Sequence, residues 1–220
     1  MKDAESPVAT GRPYGGMTHE ARTAERRTAL IDAGTRVFGS VGFRKATVRA
    51  ICREAGLNDR YFYAAFDSAD ALLRSTYEHH ALQLQDALQG AINAHPEAHQ
   101  LDARVIAGLQ AFFSFLRDPC AARVLLLEVM GVSTATDATY QRQISAFAKQ
   151  VISSASAATC EALGDRADQR IVGLALVGAM INAGTAWLLS GYREPQETMV
   201  RNCSKVFLGT FAYVTPKPRG

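Results

Sequence analysis

Residues 47–66 read TVRAICREAGLNDRYFYAAF, two short apolar-periodic runs that meet at a glycine. Val48, Ile51, Cys52 and Ala55 recur at three- and four-residue spacing, with Thr47 at the N-cap or in the first turn. Gly56 ends this run, because glycine takes the left-handed backbone of a sharp turn without steric cost. The second run extends from Asn58 to about Ala65, anchored by Leu57, Phe62 and Phe66. Helices crossing this closely need a small residue at the contact, and Cys52 supplies it as a packing group. The result is a helix-turn-helix: Phe62 locks the second helix from inside, and Asn58, Asp59, Arg60, Tyr61 and Tyr63 stand exposed. An exposed helix of this size fits the major groove of duplex DNA.

Working outward, a helix from about Thr18, with Glu20 in its first turn, buries Leu30, Ile31, Gly34, Val37, Phe38 and Val41 and ends before Gly42. Downstream, after a turn at Asp67 and Ser68, a long helix places Leu72, Leu73, Thr76, Tyr77, His80, Leu84, Leu88 and Ile92 on one side and stops by Pro96. Further helices are expected over about Leu101–Arg117, Pro119–Met130, Thr136–Leu163, Arg166–Leu189 and Pro195–Val214. Pro119 and Pro195 stand at helix starts, where a missing N–H costs nothing. Period-two alternation is almost absent, so the fold class is all-α. Residues 1–17 and 215–220 are expected to be flexible tails. Between them, residues 18–66 form the helix-turn-helix domain and 67–214 a larger helical domain.

Composition agrees with a packed protein. The 220 residues are 48% apolar and 20% charged, which excludes a disordered or collagen-like chain. Residues 1–66 carry 11 Lys and Arg against 7 Asp and Glu, a net of +4, while the rest carries 13 against 14. The basic excess therefore sits on the helix-turn-helix side, as an anion-binding module requires. Cys52, Cys120, Cys160 and Cys203 lie at least 40 residues apart, which supports neither a zinc ribbon nor a disulfide framework. The N-terminus lacks the apolar segment of a secretory signal, so a cytoplasmic protein is expected.

Catalytic signatures are missing. There is no Gly-rich phosphate loop, G-x-S-x-G or H-E-x-x-H pattern. His79 and His80 point about 100° apart on a helix and do not form a metal pair. Glu128, inside LLLEVM, has no second carboxylate spaced to work with it and reads as a salt-bridged or pocket-edge residue. Ile171–Leu189, 19 residues without a charge, has the length of a membrane span but also carries Asn182, Thr185 and many small residues; it reads as a helix shared between core and subunit interface. Phe112–Leu116, FFSFL, together with Leu126, Met130, Tyr140, Gln143, Phe147 and Met180, collects large adaptable side chains on neighbouring helices.

Several ordered motifs together resemble the tetracycline-repressor-like (TetR) family of bacterial regulators: Arg27–Phe43 (RTALIDAGTRVFGSVGF), Ala46–Ile51 (ATVRAI), Ala55–Asn58 (AGLN), Phe62–Phe66 (FYAAF) and Asp70–Leu73 (DALL). Pro119–Gly131 is similar to a later helix of many members. The resemblance implies that Thr47 and Tyr63 touch the phosphate backbone and that Asn58, Asp59, Arg60 and Tyr61 face base edges. Two usual phosphate anchors are replaced by Ala65 and Ala69, and Arg44, Lys45, Arg49 and Arg60 are inferred to compensate. It also implies a ligand cavity, for which Phe112, Leu116, Met130, Tyr140, Gln143, Phe147 and Met180 are the candidates, with Asn182 a further polar group. Ile171–Leu189 and the last helix are expected to form a two-fold four-helix interface through Val200, Cys203, Phe207, Thr210 and Phe211. The expected function is a homodimeric repressor of a palindromic double-stranded DNA operator, released by a small, mainly apolar effector, with no cofactor, metal, catalysis or membrane partner. The rival readings are a helical enzyme or carrier of an apolar molecule, and a membrane-tethered interaction protein.

Overall fold

Most helix starts are written into the sequence as a side chain that caps them. Thr18 accepts from Ala21 N–H, Thr47 from Ala50, Asn58 from Tyr61, Ser68 from Ala71 and Ser133 from Thr136, each relieving one of the donors a helix N-terminus leaves unpaired. The computed structural model describes residues 18–96 and 101–214. Among these the elements are α1 (His19–Val41), a single 3₁₀ turn (Phe43–Lys45), α2 (Val48–Ala55), α3 (Asp59–Ala65), α4 (Ala69–Asn93), α5 (Leu101–Phe115), α6 (Pro119–Leu127), α7 (Thr134–Ser153), α8 (Ala157–Ala162), α9 (Arg166–Leu189) and α10 (Gln196–Val214). The described residues contain no strand. The two tails expected at 1–17 and 215–220 lie outside them.

α1 packs on α2, α3, α4 and α6. Leu30, Phe38, Ile51, Phe62, Leu72 and Leu73 are fully buried there, so the helix-turn-helix core includes the first turns of α4. α4 then continues beside α5 and α7, α5 also packs on α10, and α7 packs on α9. One helix thus serves both the small N-terminal core and the larger bundle. The α1–α6 crossing is very close: a Cβ on Gly39 would lie 2.4 Å from Cys120 Cα.

The structure corrects several sequence expectations. Val41 is 47% exposed, because α1 ends there and Gly42, at φ 82°, turns the chain away. α6 stops at Leu127 rather than Met130, since the Glu128 side chain turns back to Arg123 and to the Phe43 N–H. The helix expected over Thr136–Leu163 is two. α7 ends at Ser153 with Ser154 as its cap, and Ser156 accepts from Thr159 N–H to begin α8.

α9 has the length and composition of a membrane span, and its two faces differ. Gly173, Leu176, Val177, Met180, Gly184 and Trp187 are buried in the bundle. Ile171, Ala175, Gly178, Ala179, Asn182, Ala186 and Leu189 form an exposed stripe opposite.

His80 joins α4 to α1, with Nε2 2.8 Å from Thr35 Oγ1 and Nδ1 3.2 Å from Gln83 Oε1, and its ring rests edge-on to Phe115 of α5. Burial, with His79 adjacent, lowers its pKa from 6.5. A base depressed on folding is protonated more readily in the unfolded chain. Stability from this group is therefore present above pH 6.5 and is lost as pH falls through the folded value. Urea midpoints measured across that window should decline, and His80→Gln should flatten the decline.

Candidate nucleic-acid interface and ligand cavity

The basic end of the molecule is built around α3. Asn58 Oδ1 accepts from Tyr61 N–H at 3.3 Å, which occupies the carbonyl in capping and leaves the amide N–H₂ for a partner. Thr47 Oγ1 caps α2 in the same way at 3.1 Å and keeps its own proton free to donate. Asp59, Arg60 and Tyr63 are exposed, Tyr63 at 59% with its ring edge-on to buried Phe62. Arg44, Lys45 and Arg49 are exposed on the 3₁₀ turn and α2. Cys52 is buried; desolvation, with Asp59 beside it, pushes its thiol up to about 11, so it remains a neutral packing group.

Tyr61 is only half-exposed, because the Arg26 guanidinium of α1 lies 4.0 Å over its ring. Arg26 and Arg27 were not among the residues singled out from the sequence. Their place depends on how α1 lies against α3, and no local pattern carries that. Arg27 donates to the Ala65 carbonyl and to Ser75 Oγ, both at 3.0 Å, and covers the Phe66 ring. It ties the end of α3 to α4.

Behind this head a cavity runs along α4. Its cavity volume is about 100 Å³, with a mouth open to solvent. The lining is almost wholly apolar: Tyr77, Leu84, Leu88 and Ile92 of α4, Val105, Leu109, Phe112 and Leu116 from α5 and its end, Leu125 and Leu126 of α6, Phe147 and Val151 of α7, and Met180 of α9 among others. Arg104, Gln150 and Ser154 supply its polar groups.

Four of the seven expected ligand residues, Phe112, Leu116, Phe147 and Met180, meet in that wall. The other three lie elsewhere. Met130 is 67% exposed, beyond the early end of α6. Tyr140 stacks on Tyr77 with ring centroids 6.0 Å apart, and Gln143 accepts from Gln85 Nε2 at 2.9 Å; neither lines the cavity. Asn182 is on the exposed stripe of α9, and Ser114 is exposed and accepts from Gln196 Nε2 at 2.8 Å. The α4 side chains were legible as a buried face, but periodicity cannot tell a face that closes on a core from one that closes on a void.

The expected interface residues also divide. Val200, Phe207 and Phe211 are buried within the chain, and Phe207 lines the cavity. Their face of α10 is consumed by packing against the bundle. Cys203 and Thr210 are half-buried, next to the exposed Val206 and Tyr213. On these two helices the free apolar surface is therefore the α9 stripe with this other face of α10.

Glu128 joins the cavity wall to the head. Its carboxylate, 11% exposed, pairs with Arg123 Nε at 2.6 Å and accepts the Phe43 N–H at 2.7 Å. Leu125 and Leu126, three and two residues earlier, line the cavity. Among the described residues no group of His, Cys, Asp and Glu is arranged to hold a metal ion.

Residues 30–76 match the family model of bacterial regulatory proteins, tetR family. No curated protein matches the chain. Among solved structures, a transcriptional regulator from Pseudomonas aeruginosa PAO1 is similar at 22% identity and a TM-score of 0.73, over 89% of this chain and 97% of that one. The fatty acid degradation regulator FadR from Bacillus halodurans is similar at 19% identity and a TM-score of 0.72, over 84% and 95%. FadR from Bacillus subtilis, solved in complex with stearoyl-CoA, is similar at 16% identity and a TM-score of 0.70, over 82% and 96%. At these identities the likeness is one of fold.

Proposed function

Residues 30–76 are a tetR-family DNA-binding domain, and from that premise we propose that the chain is a homodimeric repressor that leaves its operator when an elongated, mainly apolar molecule fills the cavity along α4. The observation that carries this reading is the continuity of two helices between head and cavity. α4 contributes Leu72 and Leu73 to the head core and Tyr77 to Ile92 to the cavity wall. α6 contributes Leu125 and Leu126 to the wall and ends in the Glu128 carboxylate on the Phe43 N–H.

An occupant that prefers a wider cavity displaces α6, loosens the Glu128 link and changes the angle at which α3 is presented. Its differential affinity for the two shapes sets how far DNA binding falls. A linear acyl chain is an occupant of fitting chemistry, as the stearoyl-CoA complex of the B. subtilis protein of similar fold illustrates. Two copies pair through the α9 stripe and the outer face of α10, which sets two recognition helices against successive major grooves of a palindrome.

Selection of bound duplexes from a random pool, followed by titration with salt, tests the DNA reading. A palindrome should emerge, and log affinity should fall with log salt with a slope of several units, because each phosphate contact releases counterions. Thr47→Ala and Tyr63→Phe should weaken all duplexes alike and lower the slope. Asn58→Ala should instead alter which bases are preferred, by about 1–3 kcal/mol at the position it faces. A flat salt response with no enriched sequence would refute the proposal.

A further inference from the structure

Consecutive arginines of α1 grip the two ends of α3. Arg27 holds the far end, through the Ala65 carbonyl and the Phe66 ring. Arg26 holds the near end, with its guanidinium carbon 4.0 Å from the centre of the Tyr61 ring. That is close to van der Waals contact, so no water layer separates the two. α3 has only seven residues, well short of the about 12–15 that a helix needs to hold itself in water. Its pose therefore depends on such contacts with α1.

The chain gives the Arg26 charge no other use. Its neighbours at helical spacing are Arg22 and Thr23 before it and Ala29 and Leu30 after it, and none of them is a carboxylate that could pair with it. Among the described residues the ion-paired arginines are Arg36, Arg74, Arg123 and Arg142. Tyr61, for its part, stands where the inner and outer faces of α3 meet. Phe62 next to it is fully buried, while Arg60 and Tyr63 are exposed. A tyrosine at such a border has more than one staggered χ1 setting open to it, and these send the hydroxyl to well-separated points. A flat cation lying on one ring face favours the setting that keeps the ring beneath it. Tyr61 is still half-exposed with the guanidinium in place, so the ring is fixed without being hidden.

We propose that Arg26 is a specificity-determining positioning residue: stacked on the Tyr61 ring, it fixes the direction from which Tyr61 meets its base pair in the major groove. This rests on the reading of α3 as the helix that enters DNA. A side chain held in one pose discriminates between base edges better than one that moves among several, because its ordering is complete before the duplex arrives. Lysine cannot take over this role. It brings the same charge to a phosphate but has no plane to lie on a ring, which separates positioning from a backbone contact.

The test measures binding of the full chain to the duplex that the parent selects and to duplexes changed at one position of a half-site. Tyr61→Leu first identifies the position that Tyr61 reads, as the one where preference is lost. Arg26→Lys and Arg26→Ala should each lower discrimination at that same position about two- to fivefold. The salt slope of Arg26→Lys should stay at the parent value, since the charge is kept. In the Tyr61→Leu background Arg26→Lys should change nothing further. Lysine and alanine are both good helix formers and Arg26 is half-buried on the outside of α1, so both variants should fold. Arg26→Lys that discriminates as the parent does overturns the assignment and leaves the DNA reading standing, with Arg26 a phosphate anchor if Arg26→Ala weakens all duplexes alike. A loss of discrimination that Arg26→Lys still causes in Tyr61→Leu overturns it too, because Arg26 then does not act through Tyr61. If Tyr61→Leu loses preference at no position, the assignment falls with its reader. A parent that selects no duplex removes the DNA reading and the assignment together.

Discussion

Ala179→Arg is expected to leave a folded protein that sediments as a monomer at micromolar concentration and holds a palindromic operator about a hundredfold or more less tightly than the parent. Ala179 stands mid-way along the exposed α9 stripe, between Ala175 and Asn182. In a two-fold interface a residue near the axis lies close to its own copy, so the substitution sets two guanidinium groups against each other in a desolvated seam. The monomer loses the second half-site. Binding of that half-site in a dimer is effectively intramolecular, and linkage of this kind raises affinity by about 10²–10⁴. Ala179 is exposed and neither lines the cavity nor belongs to the buried core, so the helical signal and the melting temperature should stay close to those of the parent. A dimer that persists in Ala179→Arg would place the interface elsewhere. Phe207→Arg, attractive from sequence periodicity, reports something else, because Phe207 is 6% exposed and lines the cavity.

Gly39→Ala is expected to be strongly destabilising. The added Cβ would come within 2.4 Å of Cys120 Cα and 2.9 Å of its carbonyl oxygen. These are backbone atoms at the start of α6, with no side chain able to swing aside, so the helices must part. Overpacking of this kind costs about 3 kcal/mol, which for a chain of this size lowers Tm by roughly 6–12 °C. Gly90→Ala is the internal control. It is also helical, a Cβ there meets nothing within 4 Å, and the lower entropy of alanine should raise stability by about 0.5–1 kcal/mol. If the two variants melt together, the close α1–α6 crossing is not present in solution.

What could be read in the sequence was whatever is decided within a few residues. Thr47, Asn58 and Ser68 announce helix starts by chemistry that acts three residues away, and Gly56 at φ 65° closes α2 as its position implied. The break between α7 and α8 escaped because Ser154 and Ser156 carry no glycine or proline to mark it. α10 was legible as an amphipathic helix, but it has two apolar faces, and only the arrival of α5 and α9 decides that Phe207 and Phe211 go inward while Val206 stays out. Arg26 over Tyr61 and Gln150 at the cavity wall are products of tertiary contact. No spacing encodes them.

α4 runs unbroken from Ala69 to Asn93 through both cores, and this bears on how such a protein can be altered by inheritance. A loop between two units tolerates inserted or deleted residues, and units joined that way can be exchanged freely. A continuous helix behaves as a drive shaft: one residue added near Glu78 would turn everything beyond it by about 100° relative to Leu72 and Leu73. Leu84, Leu88 and Ile92 would leave the face that lines the cavity, although the head itself had not changed. Exchange of heads between relatives is therefore restricted to events that keep the phase of this helix, and change in the cavity wall is steered toward substitution and away from insertion along it.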